Sequence, residues 1–257
     1  MEITGSATRV NGALLPRPEQ LDEELRHGRL AYLFTRRYLE KWSRLRETFP
    51  EKGRLADFPA VHVEIGCGRA KNLINLSPQQ PHTLYIGTER DNHRFQAASR
   101  RAERLARPNL LILRRDVVPL VAFNFPDSTV DEYDLFYPDP WPRYRHRRRR
   151  WYRHPFVLEL LRTLKQGGSI RLTSDRLFYV QEAAWMFGVY LNCRLELLEH
   201  VQVHSNRTHF ESKYLQQGRR LYELVVRKTG DPPADVVELQ PARNRVCTAG
   251  ENPWGRG

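Results

Sequence analysis

From Val61 onward, short apolar runs alternate with longer segments of helical periodicity, and this alternation is the signature of a parallel sheet joined by crossover helices. Val61–Gly66, Leu84–Thr88, Leu110–Arg114, Glu132–Tyr137 and Ser169–Thr173 read as strands. Arg69–Leu76, Asn92–Ala106, His154–Lys165 and Leu177–Leu191 read as the helices between them. Right-handed crossovers then place the carboxyl ends of all five strands on one edge, where α/β sheets bind their ligands. Two later β-rich runs, Leu195–Val203 and Leu221–Arg227, fit an antiparallel pair on the far side. The expected fold is therefore α/β, a Rossmann-like, doubly wound, mostly parallel sheet over residues 59–228. Ahead of it, residues 1–58 form an expected helical arm, with apolar residues at helical spacing through Gln20–Phe49. Residues 229–257, with four prolines and four glycines and no period, read as a loosely ordered tail.

The chain has 257 residues, enough to bury a core without disulfides or metal. Its formal charge of +12, with 40% hydrophobic residues, excludes an acidic disordered chain and favours a polyanionic partner. No apolar run reaches the roughly 18 residues of a membrane span, and Met1–Gly12 lacks the regions of a signal peptide. A cytoplasmic protein with no membrane partner is expected. Cys67, Cys193 and Cys247 lack C-x-x-C spacing, so neither a disulfide framework nor a cysteine metal site is expected.

The strand ends carry the chemistry. The first closes in Glu64-Ile65-Gly66-Cys67-Gly68, whose glycines permit a tight turn that a ligand can approach closely. An ordinary strand-to-helix turn explains the glycines equally well. The second closes in Gly87-Thr88-Glu89, placing a carboxylate 21 residues after Gly68, the spacing at which one accepts both hydroxyls of a ribose. Asp116, after the third strand, suits an adenine amino group, or alternatively a helix N-cap. A nicotinamide dinucleotide and S-adenosyl-L-methionine both fit such a unit. The former wants a third glycine where Lys71 stands, and Glu64 repels a pyrophosphate but attracts an amino-acid ammonium, which favours the methyl donor.

The fourth strand runs into Phe136-Tyr137-Pro138-Asp139-Pro140-Trp141-Pro142, followed by seven arginines within the eleven residues Arg143–Arg153. Prolines on either side of Asp139 stiffen the loop and present the carboxylate at the sheet edge. Trp141, Tyr144, Trp151 and Tyr152, interleaved with the arginines, offer stacking surfaces beside phosphate-neutralising charge, so nucleic-acid contact is preferred over a solvated charged face. Thr173-Ser174-Asp175 and Arg207-Thr208-His209-Phe210-Glu211 are polar segments that turn chemistry alone could explain.

With these motifs in this order, the chain resembles the bacterial tRNA (guanine-N7-)-methyltransferase family over about Val61–Lys228. The resemblance rests chiefly on the Pro138-Asp139-Pro140-Trp141 loop, with Glu64-Ile65-Gly66-x-Gly68, Gly87-x-Glu89, Gly167-Gly168 and Thr208-x-Phe210-Glu211 in support. It implies the fold of a class I S-adenosyl-L-methionine-dependent methyltransferase, acting on a variable-loop guanosine (guanine-46) of tRNA. The nine histidines show no H-x-x-x-H or similar pair, so no metal is expected, and a monomer or homodimer is expected. The resemblance further implies that Glu64, Gly66, Gly68, Glu89, Asp116 and Asp139 bind the donor, that Asp139 is also catalytic, and that Arg143, Asp175, Thr208 and Glu211 contact RNA. Ala70 stands where a further glycine is usual, Arg143 where lysine is, and Arg176 where tryptophan is frequent. Action on another RNA, or RNA binding without catalysis, are the alternative readings.

Overall fold

The computed structural model describes residues 9–10, 13–14, 50–154, 156–199 and 207–231. The expected helical arm over Gln20–Phe49 and the tail beyond Asp231 lie outside these residues. One sheet holds seven strands: β1 (Ala60–Ile65), β2 (Thr83–Thr88), β3 (Leu110–Leu113), β4 (Val130–Phe136), β5 (Leu164–Ser174), β6 (Arg194–Glu199) and β7 (Tyr222–Arg227). Their order across the sheet is β3-β2-β1-β4-β5-β7-β6. The first five pair in parallel, and β7 inserts antiparallel between β5 and β6. The order reverses at β1, so the crevice beyond the ends of β1 and β4 is where a ligand site belongs.

Burial follows the two-residue period of the strands. One face, with Val61, Val63, Ile86, Tyr133, Leu135, Ile170 and Leu172, packs on the helices α3 (Val117–Asn124), α4 (Phe156–Thr163) and α5 (Leu177–Trp185). The opposite face carries an apolar cluster at one end, where Tyr85 and Leu110 meet Leu73 and Ile74 of α1 (Lys71–Leu76) and Ala98 of α2 (Asn92–Leu105). Farther across, in register, stand His62 beside Glu132, Glu64 beside Asp134, and Asp134 beside Arg171. A sixth helix, α6 (His209–Gln216), precedes β7.

The differences from the sequence reading have local causes. Helix α3 was not expected, because VVPLVAFN is apolar all round and so shows no amphipathic period. The helix expected to reach Lys165 ends at Thr163, since Leu164 already pairs with Val130 and opens an eleven-residue β5. The helix expected over Leu177–Leu191 is α-helical only to Trp185 and widens into a π-turn over Met186–Tyr190. That turn carries Gly188 against Leu195 of β6, where a Cβ would sit 2.6 Å from Leu195 Cδ1.

Gly87 is fixed by packing. A Cβ there would lie 2.8 Å from both Cys67 Sγ and Leu73 Cδ1, so β2 approaches α1 only because position 87 carries no side chain. Gly87→Ala should cost about 1–3 kcal/mol by overpacking, read as a lower urea midpoint at unchanged m-value; an unchanged midpoint would contradict this account.

Candidate active site at the carboxyl edge of the sheet

A cavity of about 920 Å³ opens at the carboxyl ends of β1, β2 and β4. Glu64, Gly66, Gly68, Glu89, Asp116, Asp139 and Thr208 all line it. Residues from five separate chain segments thus converge on one space. Arg143, Asp175 and Glu211 do not line it: Arg143 is exposed at the start of the arginine loop, and Asp175 pairs at 2.7 Å with Arg219.

The floor is built on β1 and the loop after it. Gly66 (φ 74°) and Gly68 (φ 58°) both take the left-handed conformation that glycine adopts without steric cost. Ala70, where the resemblance leads one to expect a further glycine, adopts the same region at φ 54° as it caps α1, and is fully buried. Glu89 fastens this loop to the next turn, Oε2 accepting from Gly68 N–H at 3.0 Å and Oε1 from Asp91 N–H at 2.8 Å. Each oxygen keeps lone-pair capacity for a ribose hydroxyl. Asp116 is the N-cap of α3, Oδ1 accepting from Val118 N–H at 3.1 Å, and the residue also lines the cavity.

Beneath the floor lies a chain of buried polar groups that the sequence reading missed. Asn72 Nδ2 donates to Glu64 Oε2 at 3.3 Å and to Asp134 Oδ2 at 3.2 Å. Asp134 Oδ2 also meets His62 Nε2 at 2.7 Å. Burial opposes charge on His62, but Asp134, Glu132 and Glu64 together hold its pKa above the ordinary imidazole value. Burial likewise opposes charge on Asp134, and His62, Arg171 and Arg207 still bring it below the usual carboxylate range. Glu64 has weaker support: burial and the neighbouring Asp134 push it up to about 8, against the opposing pull of Asn72, His62 and Arg207. The strand period gives a signal that these residues share a face, since His62 and Glu64 alternate, as do Glu132 and Asp134.

The rim opposite is formed by the proline loop and the start of α6. Asp139 is exposed between Pro138 and Pro140, and the loop is bracketed by Tyr137 and Trp141 at φ 53° and 43°, a region that bulky residues seldom occupy. The arginine run divides in two. Arg150 and Arg153 are buried, and Arg150 bonds Glu182 at 2.6 Å and the Trp141 carbonyl at 3.1 Å; Tyr152, also buried, donates to Glu182 at 2.7 Å. These three were expected at the RNA surface and instead anchor the loop to α5. Arg143, Arg145 and Arg149 remain exposed, as does Tyr144, with Arg147 stacked over its ring at 3.8 Å and Arg149 over Trp141 at 4.7 Å.

Thr208 and Glu211 form the capping pattern T-x-x-E at the start of α6, where Thr208 Oγ1 accepts from Glu211 N–H at 3.0 Å. The Glu211 carboxylate is fully buried: Oε2 accepts from Arg207 N–H at 2.6 Å, and Oε1 from Arg207 Nη2 at 2.8 Å and Tyr137 Oη at 3.2 Å. Arg207 further pairs with Glu223 at 2.5 Å and lies over the Phe136 ring. This clasp ties α6 to the exit of β4. Arg207 and the exposed Phe210 line the cavity and were not singled out from sequence, although both stand in the motif that was.

Glu64 binds its proton more tightly folded than unfolded, so its stabilising contribution is complete below the ordinary value near 4.5 and lost as pH rises through about 8. Glu64→Gln should therefore raise the Tm of the protein without added ligand at pH 8.5, by roughly 2–4 °C for each kcal/mol recovered, and the advantage should shrink toward pH 5. A pH-independent difference in scanning calorimetry would contradict this assignment.

Residues 59–224 match the family model described as a putative methyltransferase. The tRNA (guanine-N(7)-)-methyltransferase of Aquifex aeolicus (strain VF5) is 29% identical over 204 residues, covering 75% of this chain and 67% of that protein. The protein of the same name from Staphylococcus aureus (strain MSSA476) is 30% identical over 168 residues, covering 64% of this chain and 78% of that protein. A solved 30S ribosomal A1408 methyltransferase from an uncultured bacterium aligns with a TM-score of 0.49 at 18% identity, covering 68% of this chain and 91% of that one. By the extent of its match to the model and to these relatives, the chain belongs to the methyltransferase family that contains the tRNA (guanine-N(7)-)-methyltransferases.

Proposed function

We propose that this chain transfers a methyl group from S-adenosyl-L-methionine to N7 of a guanosine in tRNA, in the variable loop at guanine 46. The observation that carries the reading is the convergence of Glu64, Glu89, Asp116 and Asp139 on one cavity beside an arginine-rich, aromatic loop. The donor set suits the cofactor. Glu89 can accept from ribose hydroxyls, Asp116 from an adenine amino group, and Glu64 from an ammonium, while Arg69 and Lys71 at the same rim answer a carboxylate. When bound, S-adenosyl-L-methionine supplies an electrophilic methyl carbon.

The protein's own residues then have a positioning task. Guanine N7 carries an in-plane lone pair and no proton, so no general base is required of the chain. Asp139, which lines the cavity, accepts on this reading from the amino or imino hydrogens of the base, fixing its orientation, and its charge opposes the positive charge that methylation develops on the purine. Alignment of reacting atoms at about 3–3.5 Å supplies several kcal/mol of the barrier. Tyr144 and the exposed arginines Arg143, Arg145 and Arg149 hold the RNA by stacking and phosphate contact, with Thr208 at the cavity edge. Because N7 lies on the deep, narrow major-groove edge of an RNA helix, the target base must be unpaired or splayed out. Asp175 and Glu211 serve this reading indirectly, Asp175 paired to Arg219 and Glu211 in the clasp behind Tyr137.

Incubating unmodified tRNA transcripts with labelled donor, followed by chemical cleavage at N7-methylguanosine, should place the label at one variable-loop guanosine. Absence of label in tRNA would remove the reading. Asp139→Asn should keep tRNA affinity and lose turnover by on the order of 10²–10³; wild-type turnover would take Asp139 out of the mechanism.

A further inference from the structure

Helix α2 carries Arg94, Arg100, Arg101 and Arg104 on its outer side, while Ala98 is buried against the sheet. Its spacing sets like charges against one another, Arg100 to Arg104 at i,i+4 and Arg101 to Arg104 at i,i+3. Elsewhere arginines meet carboxylates: Arg162 pairs with Asp127 and Glu159, Arg171 with Glu132, Arg150 with Glu182 and Arg207 with Glu211. Among the described residues Arg100, Arg101 and Arg104 have no such ion pair. The single carboxylate within α2, Glu103, accepts from Ser99 Oγ at 2.8 Å.

These arginines form one wall of a second cleft, of about 770 Å³, whose other side is Arg69 and His209. Arg69 and His209 also line the larger cavity, so the two spaces adjoin across these residues. The local field is positive enough to act on His209, which partial burial and the charges of Lys71, Arg69 and Arg101 hold below the ordinary imidazole value. In the sheet, α2 follows β2 and the arginine loop follows β4, so the two basic surfaces flank β1 and its glycine turn on opposite sides.

We propose that the α2 cleft is a second RNA-backbone site, in which Arg100, Arg101 and Arg104 bind phosphates so that the strand is gripped on both sides of the cavity receiving its base. This rests on the tRNA reading above and adds a contact surface to it. Guanidinium groups recognise phosphate by paired hydrogen bonds, and a concave surface with several unmatched guanidiniums fits a phosphodiester chain entering the cavity. Such contacts fix position without reading sequence.

The test is the triple variant Arg100→Gln/Arg101→Gln/Arg104→Gln, which leaves every cavity-lining residue intact, assayed with an unmodified tRNA transcript between 50 and 200 mM salt. Its tRNA affinity should fall on the order of tenfold or more at low salt, and its log–log salt slope should become less negative by about 2–3, at roughly 0.7–0.9 per lost phosphate contact. The kcat at saturating tRNA and the S-adenosyl-L-methionine affinity should stay at wild-type values, and the Arg→Lys triple variant should recover most of the slope. A wild-type slope and KM in the glutamine variant, beside a wild type that methylates tRNA, overturns the cleft alone. Loss of donor affinity or kcat in the glutamine variant also overturns it, because the arginines would then act through the cavity. A wild type that neither binds nor methylates tRNA overturns the parent reading together with this one.

Discussion

Two carboxylates, Glu64 and Asp134, stand in register on adjacent strands in the buried part of the sheet, and the site depends on how their mutual repulsion is managed. His62 and Arg171 neutralise Asp134, and Asn72 joins the pair by donating to both. An ionised carboxylate left without partners in such surroundings would cost several kcal/mol. Glu64 receives the smaller share of this support, so it holds its proton well into the neutral range. Stability is therefore conceded at Glu64, which lines the cavity while its partners His62, Asn72 and Asp134 lie behind it.

The rim shows a comparable division of labour among residues of one type. In the run Arg143–Arg153, burial distinguishes what composition cannot. Arg150 and Arg153 are interior residues gathered around Glu182, whereas Arg143, Arg145 and Arg149 face outward. The interior pair gives the loop a fixed seat on α5, and the exterior set gives it charge. Glu211 and Arg207 repeat the pattern on the other side, where an acid expected at the substrate instead secures the helix that presents Thr208 and Phe210.

Much of this was legible in the chain. Alternating apolar runs gave the parallel sheet and each of its five carboxyl strand ends to within one residue, and strand-end position alone was enough to bring Glu64, Glu89, Asp116 and Asp139 to one edge. Helix α3 was not legible because a segment apolar on every side has no amphipathic period. The partners of Glu64 were not, because His62, Asn72 and Asp134 meet only through strand register and the placement of α1. Nor was the burial of Tyr152, whose bond to Glu182 spans thirty positions of sequence.

Tyr137 and Trp141, both non-glycine residues in left-handed conformation, enclose three residues of which two are proline. Prolines remove backbone freedom from the unfolded and free states alike, and the contacts of Arg150 and Glu211 hold the two ends in place. Under the proposed function, little ordering entropy then remains to be lost when a nucleotide arrives, so association through this loop would resemble a key meeting a finished lock more than a hand closing on an object.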